Sequence, residues 1–237
     1  MKNAYGTVPA VATVVPHIAD LEDRSAEEVL AFLVERHGRR LVLACSFQKE
    51  ATVLVDLLLG IDPGARVFTL DTGVLFPETY ATWRAVEERY GITVEAYRGP
   101  TLEEQARLHG DALWAREPDR CCGLRKVAPL ERALDGAEVW VSGLRREQSP
   151  ERASTPKLAW DARHGLLKAN PLADWTEDDV WRRVRDRDLP YNVLHDQGYA
   201  SIGCTHCTRP GAGRSGRWSR FARTECGLHG RRTATRR

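Results

Sequence analysis

The residues in this chain with the most chemistry to offer are its thiols. There are six cysteines: Cys45, the adjacent pair Cys121-Cys122, the unit Cys204-Thr205-His206-Cys207, and Cys226 within Glu225-Cys226-Gly227-Leu228-His229. Two close pairs make a donor set for zinc or for an iron–sulfur cluster. A single zinc ion more typically takes two CxxC units, whereas adjacent cysteines on a helix point roughly 100° apart and suit the widely spaced corners of a cubane. On the residues alone both metals stay open. Thiolates in such a centre carry net negative charge, and Arg125 and Lys126 follow the first pair closely enough to offset it. Cys226 has a different setting. It lies in a Gly- and Arg-rich stretch with His229 three residues on, where positive neighbours raise the thiolate fraction and make a nucleophile. Cys45 sits inside an apolar run and reads as a small packing residue.

Two further clusters could hold an anion. Ser46, Gln48 and Lys49 lie between an apolar run and an apolar helix, so backbone N–H groups and a helix N-terminus would face a phosphate or sulfate, although the glycines of a P-loop are absent. Gly143-Leu144-Arg145-Arg146-Glu147-Gln148-Ser149-Pro150-Glu151-Arg152 adds arginines able to make forked bonds to such a group.

The elements that would position these groups alternate. Ser25-Ala26-Glu27-Glu28 is a capping box that starts a helix. Strands are predicted over residues 40–46, 66–70, 92–97 and 137–142, with helices over 51–59 and from Pro77 to Tyr90, another capped by Thr101, and a helical stretch after the Cys121-Cys122 pair. Residues 158–161 and 166–168 can pair as a hairpin, and Thr176 caps a last helix to about Arg185. This pattern predicts an α/β fold with a doubly wound, mostly parallel sheet. Ligands of such sheets sit at the C-terminal strand ends, so Ser46 to Glu50, Asp71-Thr72-Gly73 and Gly143 to Arg152 should converge on one crevice. The seven tryptophans are scattered and read as packing residues, with Trp218 placed near the ligand.

Bulk properties restrict the function classes. With 35 basic and 33 acidic residues in 237, the chain is not an electrostatic nucleic-acid binder. From Arg209 onward there is a single Glu, no Asp and many Arg, so residues 209–237 form a basic tail, after an N-terminal arm over 1–24 and an α/β domain over 25–208. No apolar run is long enough to cross a membrane, and the start of the chain lacks the character of a secretory signal. The expected compartment is the reducing cytoplasm, which favours metal or catalytic roles for the thiols over disulfides.

From about Ala44 to His229 the chain resembles the assimilatory adenylylsulfate reductases, within the wider phosphoadenylylsulfate reductase family. The resemblance rests on Ser46-Phe47-Gln48-Lys49-Glu50, Leu70-Asp71-Thr72-Gly73, Cys121-Cys122 with Lys126, Gly143-Leu144-Arg145-Arg146-Glu147-Gln148-Ser149, Pro190-Tyr191-Asn192, Ile202 to Pro210, Arg214-Ser215-Gly216-Arg217-Trp218 and Glu225-Cys226-Gly227-Leu228-His229. It implies the adenine-nucleotide α-hydrolase-like fold and one 4Fe–4S cluster on Cys121, Cys122, Cys204 and Cys207. It implies binding of adenylylsulfate by Ser46, Gln48, Lys49, Asp71, Thr72, Gly73, Lys126, Arg145, Gln148, Ser149, Arg214, Arg217 and His229. It further implies Cys226 as the nucleophile that takes the sulfur, thioredoxin (or a glutaredoxin-like protein) as reductant, and sulfite and AMP as products. Between Cys207 and Arg217 the chain is shorter than familiar members. Homo-oligomerisation stays open.

Three rivals differ in class or substrate. An enzyme for phosphoadenylylsulfate would share the mechanism, but members restricted to it typically lack the cluster cysteines. An ATP pyrophosphatase that thiolates tRNA would need glycines where Phe47 and Gln48 stand. A zinc-stapled interaction domain would explain the CxxC unit but not the polar clusters at strand ends.

Overall fold

The computed structural model describes residues 21–219, 221 and 225–229, so the first 20 residues of the expected N-terminal arm lie outside the described residues. Six strands form one sheet: β1 (Leu41–Ala44), β2 (Arg66–Asp71), β3 (Glu95–Arg98), β4 (Val139–Val141), β5 (Leu158–Asp161) and β6 (Leu166–Ala169). Their order is β3-β2-β1-β4-β6-β5, parallel throughout except that β5 runs antiparallel to β6. The doubly wound, mostly parallel sheet expected from the alternation is present. The hairpin of β5 and β6 also forms, and its second strand joins the parallel sheet beside β4.

Helices follow the capping signals. Ser25, Thr101 and Thr176 each complete a capping box, at the starts of α1 (Ala26–His37), α4 (Leu102–His109) and α8 (Glu177–Asp186). Pro77 opens α3 (Pro77–Tyr90), where its missing N–H is no loss. Expected boundaries shift where local bonds intervene. β3 begins at Glu95 rather than Ile92, because Gly91 ends α3 in a left-handed conformation and the Val94 N–H donates to the Glu87 side chain (2.8 Å) instead of to the sheet. Helix α2 (Lys49–Ile61) starts two residues before the expected Ala51, with Lys49 and Glu50 buried in its first turn.

Strand residues alternate between faces, and both faces are covered. Val42, Phe68, Trp140 and Leu166 pack against Leu130 and Ala133 of α7 (Ala128–Ala133). Leu41, Leu43, Val67, Val139, Val141 and Leu167 pack against the apolar stripes of α1, α2 and α8. Each such buried aliphatic side chain stabilises the fold by about 1.5–3 kcal/mol. A helical stretch follows the pair Cys121-Cys122 as expected, and the pair itself closes the last turn of α6 (Pro118–Cys122), after the short α5 (Leu113–Arg116). The helix then widens through one π turn, Gly123–Val127, before α7. Such wide turns recur at functional sites because they re-aim side chains without ending the helix.

Strand order reverses between β1 and β4, since β1 leads outward to β2 and β3 and the chain then returns to β4 on the other side. The C-terminal ends of β1 and β4 therefore flank the position where this class of sheet opens a crevice.

Candidate active site

A crevice of about 590 Å³ opens there. Its walls include Ser46, Gln48, Lys49, Thr72, Lys126, Arg145, Gln148, Arg214, Arg217, Cys226 and His229, so the strand-end loops, the thiol nucleophile candidate and the basic tail do meet. Asp71, Gly73 and Ser149, also expected as ligands, are not among its walls. Asp71 accepts hydrogen bonds from Tyr80 Oη (2.7 Å), Arg98 Nε (2.8 Å) and the Gly73 N–H (3.0 Å), so it shapes the turn that presents Thr72. Burial pushes its carboxyl up, and the bonds from Tyr80, Gly73 and Arg98 more than reverse that. The Ser149 hydroxyl is buried with no hydrogen-bond partner among the described residues. Arg152 lines the crevice although it was not singled out as a ligand. Its place in the arginine-bearing loop was the available signal.

The loop after β1 is held by its neighbours rather than by glycine. Phe47 adopts φ +56°, which costs a non-glycine residue about 1–2 kcal/mol. Its ring is fully buried and stacks on Trp83 at 5.3 Å, which offsets that cost. The Gln48 side-chain oxygen accepts the Ile202 N–H at 2.7 Å, tying this loop to the segment that carries Cys204.

Two expected anion ligands turn out to be internally paired. Lys49 Nζ lies 3.1 Å from Glu177 and 3.8 Å from Glu50. Arg145 donates to Glu50 (3.0 Å), to the Trp175 carbonyl (3.2 Å) and to Glu177. Of the other cations on the crevice wall, Arg152 and Arg214 pair with Glu225 of the tail, whereas Lys126 and Arg217 form no ion pair with a carboxylate among the described residues. Arg217 lies against the backbone of Gly203, donating to Ser201 Oγ and the Ile202 carbonyl (both 3.1 Å), and a Cβ at Gly203 would collide with its guanidinium. Trp218, itself at φ +49°, underlies Arg217 at 4.5 Å and Arg214 at 5.6 Å.

Cys121, Cys122, Cys204 and Cys207 line one small hollow beside the crevice, together with Arg125, Lys126, Trp114 and His206. The second pair is fixed by the Thr205 N–H to the Val74 carbonyl (2.9 Å) and by His206 stacked on Trp114 at 3.9 Å. Burial, with Cys122 and Cys204 next, pushes the Cys121 thiol up to about 11, and burial and the same neighbours raise Cys207. No three His, Cys, Asp or Glu side chains among the described residues close on a single ion. The buried Arg125 has one guanidinium nitrogen, Nη2, with no acceptor among the described residues. Four soft donors around a void, flanked by the buried Arg125 and the half-buried Lys126, match the chemistry of an anionic iron–sulfur group.

Cys226 is buried against Cys122 and Trp218. Burial alone would raise its thiol, but Lys126, the Leu228 N–H and Arg217 outweigh it and hold the group below its ordinary value. Lys126 in turn is pushed down by burial and more than restored by Cys204, Cys226 and Cys122. Cys45 packs in the apolar core as expected, and burial pushes its thiol up to about 12.

The sheet order and strand-end crevice are those of the adenine-nucleotide α-hydrolase-like enzymes. Residues 40–210 match the phosphoadenosine phosphosulfate reductase domain, and the chain belongs to that family. It is 49% identical over 212 residues to a protein of Lysinibacillus sphaericus named adenosine 5'-phosphosulfate reductase, covering 87% of this chain and 91% of that one. It has the same identity and coverage with adenosine 5'-phosphosulfate reductase 1 of Bacillus subtilis. The crystal structure of a phosphoadenylyl-sulfate reductase from Candida auris, in complex with phosphate, superposes with a TM-score of 0.76 at 30% identity, covering 86% of this chain and all of the other.

Proposed function

We propose that this chain reduces adenylylsulfate to sulfite and AMP in sulfate assimilation, through Cys226 and with a thioredoxin-like dithiol as reductant. The observation that carries this reading is a buried thiol, held below its ordinary pKa by Lys126 and Arg217, on the wall of a cationic crevice at the switch point of the sheet. The Cys226 thiolate attacks the sulfate sulfur, an S–S bond forms, the S–O bond to the phosphate breaks, and AMP leaves with that electron pair. The product on the protein is an S-sulfonate. A dithiol protein then attacks Cys226 Sγ, releases sulfite, and closes its own disulfide while Cys226 returns as a thiol. The two electrons gained by sulfur come from that dithiol.

Arg152, Arg214, Arg217 and Lys126 face the phosphosulfate and stabilise charge as it moves to the leaving phosphate. Ser46 and Thr72 flank it from the strand ends, and Gln48 holds their loop to Ile202. The thiols of Cys121, Cys122, Cys204 and Cys207 would hold a 4Fe–4S cluster, which would supply negative charge near Lys126 and tie two distant segments together, the electrons still coming from the dithiol. A cytoplasmic setting suits six reduced thiols. No helix among the described residues is long and apolar enough to cross a membrane.

Cys226→Ser tests the reading. It should abolish sulfite release while leaving a brown, folded protein, and Cys204→Ser should lose iron, stability and activity together. Sulfite formation that survives in the Cys226 variant refutes the assignment. Comparing turnover of adenylylsulfate and phosphoadenylylsulfate separates the two substrates.

A further inference from the structure

Residues 225–229 of the tail are gripped at alternate positions. The Glu225 carboxylate accepts from Arg152 (2.6 Å and 2.7 Å) and from Arg214 (3.1 Å). The Gly227 carbonyl accepts from Arg163 Nη1 at 2.6 Å. His229 Nδ1 lies 3.0 Å from Lys168 Nζ, and its ring stacks on Trp140 at 5.2 Å. The residues between them turn the other way: Cys226 packs with Cys122 and Trp218, and Leu228 with the Phe68, Leu130 and Trp140 cluster.

Register explains the receptor. Lys168 of β6 pairs directly with Trp140 of β4, so both side chains rise from the same face of the sheet, and Lys168 Nζ stands 4.4 Å over the indole. Arg163 comes from the turn between β5 and β6, and the wall they share belongs to the fold rather than to the tail. Burial, with Lys168 next, holds His229 well below its ordinary value, so the ring is neutral and can accept from the ammonium. None of Arg163, Lys168 or Trp140 carries a role in the reaction outlined above.

We infer that Arg163 and Lys168 are positioning residues for the nucleophile: with Arg152 and Trp140 they form a receptor that seats Glu225-Cys226-Gly227-Leu228-His229 and fixes the Cys226 sulfur in the crevice. This rests on the proposed reduction of adenylylsulfate for its catalytic consequence, but the seating itself is independent of it. A displacement of the thiol by about 1 Å is enough to lower a rate about a hundredfold.

The test uses the full-length, iron-loaded protein and the variants Arg163→Gln, Lys168→Met and Lys168→Arg. First, alkylation of Cys226 by iodoacetamide is followed by peptide mass. The Arg163→Gln and Lys168→Met variants should react at least about fivefold faster than the parent, and Lys168→Arg should return toward the parent rate. Second, formation of the Cys226 S-sulfonate is timed in a single turnover with adenylylsulfate. It should slow about tenfold or more in the first two variants, with AMP affinity and iron content unchanged. Equal alkylation rates in parent and variants overturn the receptor. Adduct rates that fall only in step with AMP affinity or iron content overturn the positioning role and leave a general structural one. If the parent itself forms no adduct, the proposed reaction fails, while the alkylation arm still decides the receptor.

Discussion

Glu50→Gln isolates one charge in an ion network enclosed among Lys49, Arg145 and Glu177. Glu50 Oε1 accepts from Arg145 Nε (3.2 Å) and Nη2 (3.0 Å) and from Gln148 Nε2 (3.2 Å), with Lys49 Nζ 3.8 Å away. The side chains of Glu50, Arg145 and Lys49 are 8%, 3% and 2% exposed, so the amide variant leaves two cations out of water with less negative charge between them. Removing one partner of a buried pair costs about 3–5 kcal/mol. Here Glu177 remains as a carboxylate partner of both cations, but it is half-exposed, so the loss should be smaller, about 2–3 kcal/mol. For a chain of this size that corresponds to a melting temperature lower by about 4–12 °C. The pH dependence sharpens the test. Burial pushes the Glu50 carboxyl up, but Lys49 and Arg145 outweigh burial and hold it below its ordinary value of 4.5. Its folded pKa is depressed, so its contribution is complete above about 4.5 and is lost as pH falls through the lower folded value. Melts of parent and variant at matched iron content should differ most at neutral pH and converge in acid. A gap that stays constant down to strongly acidic pH, or no gap at neutrality, refutes the network as a source of stability.

Two other substitutions read the links between loops. Gln48→Leu keeps the volume but leaves the Ile202 N–H without its acceptor, which should cost about 1–3 kcal/mol and lower iron content by loosening the segment of Cys204, checked by melting and iron assay. Gly203→Ala places a Cβ against the Arg217 guanidinium, which must swing off Trp218. Turnover should fall about tenfold, a loss of about 1.4 kcal/mol of transition-state stabilisation, with little change in melting temperature, and unchanged kcat/KM would exclude a role for the present Arg217 pose.

The alternation of strands and helices was legible because it is local. Apolar runs marked β1, β2 and β4, and the capping boxes at Ser25, Thr101 and Thr176 sit where the helices start. The place of β6 in the parallel sheet was not legible. Its short run contains Lys168, which reads as a solvent-facing residue until Trp140 is found beside it. The π turn after Cys122 has no compositional mark. Among site residues, the thiols were readable because their type alone restricts their chemistry. Lys49 and Arg145 were readable only as cations near a loop, since the carboxylates that pair with them come from Glu50, in the first turn of a helix, and from Glu177, at the start of another.

Those pairings divide the cations of the crevice into two sets with different consequences. Lys49 and Arg145 are compensated by carboxylates of the folded domain, so their charge shapes the walls whether or not the tail is seated. Arg152 and Arg214 are compensated by Glu225, the residue directly before the nucleophile. The charge available to an incoming anion and the position of Cys226 therefore depend on the same carboxylate. Affinity for an anion and reactivity of the thiol are not independent measurements in this protein. A substitution at Glu225 moves both, whereas Arg163 and Lys168 grip the tail at Gly227 and His229 and leave the pairs of Glu225 with Arg152 and Arg214 in place, although the Lys168 charge is felt by Arg152 and Glu225. They are thus the positions at which the placement of the sulfur can be varied while the crevice that binds the anion keeps its own cations.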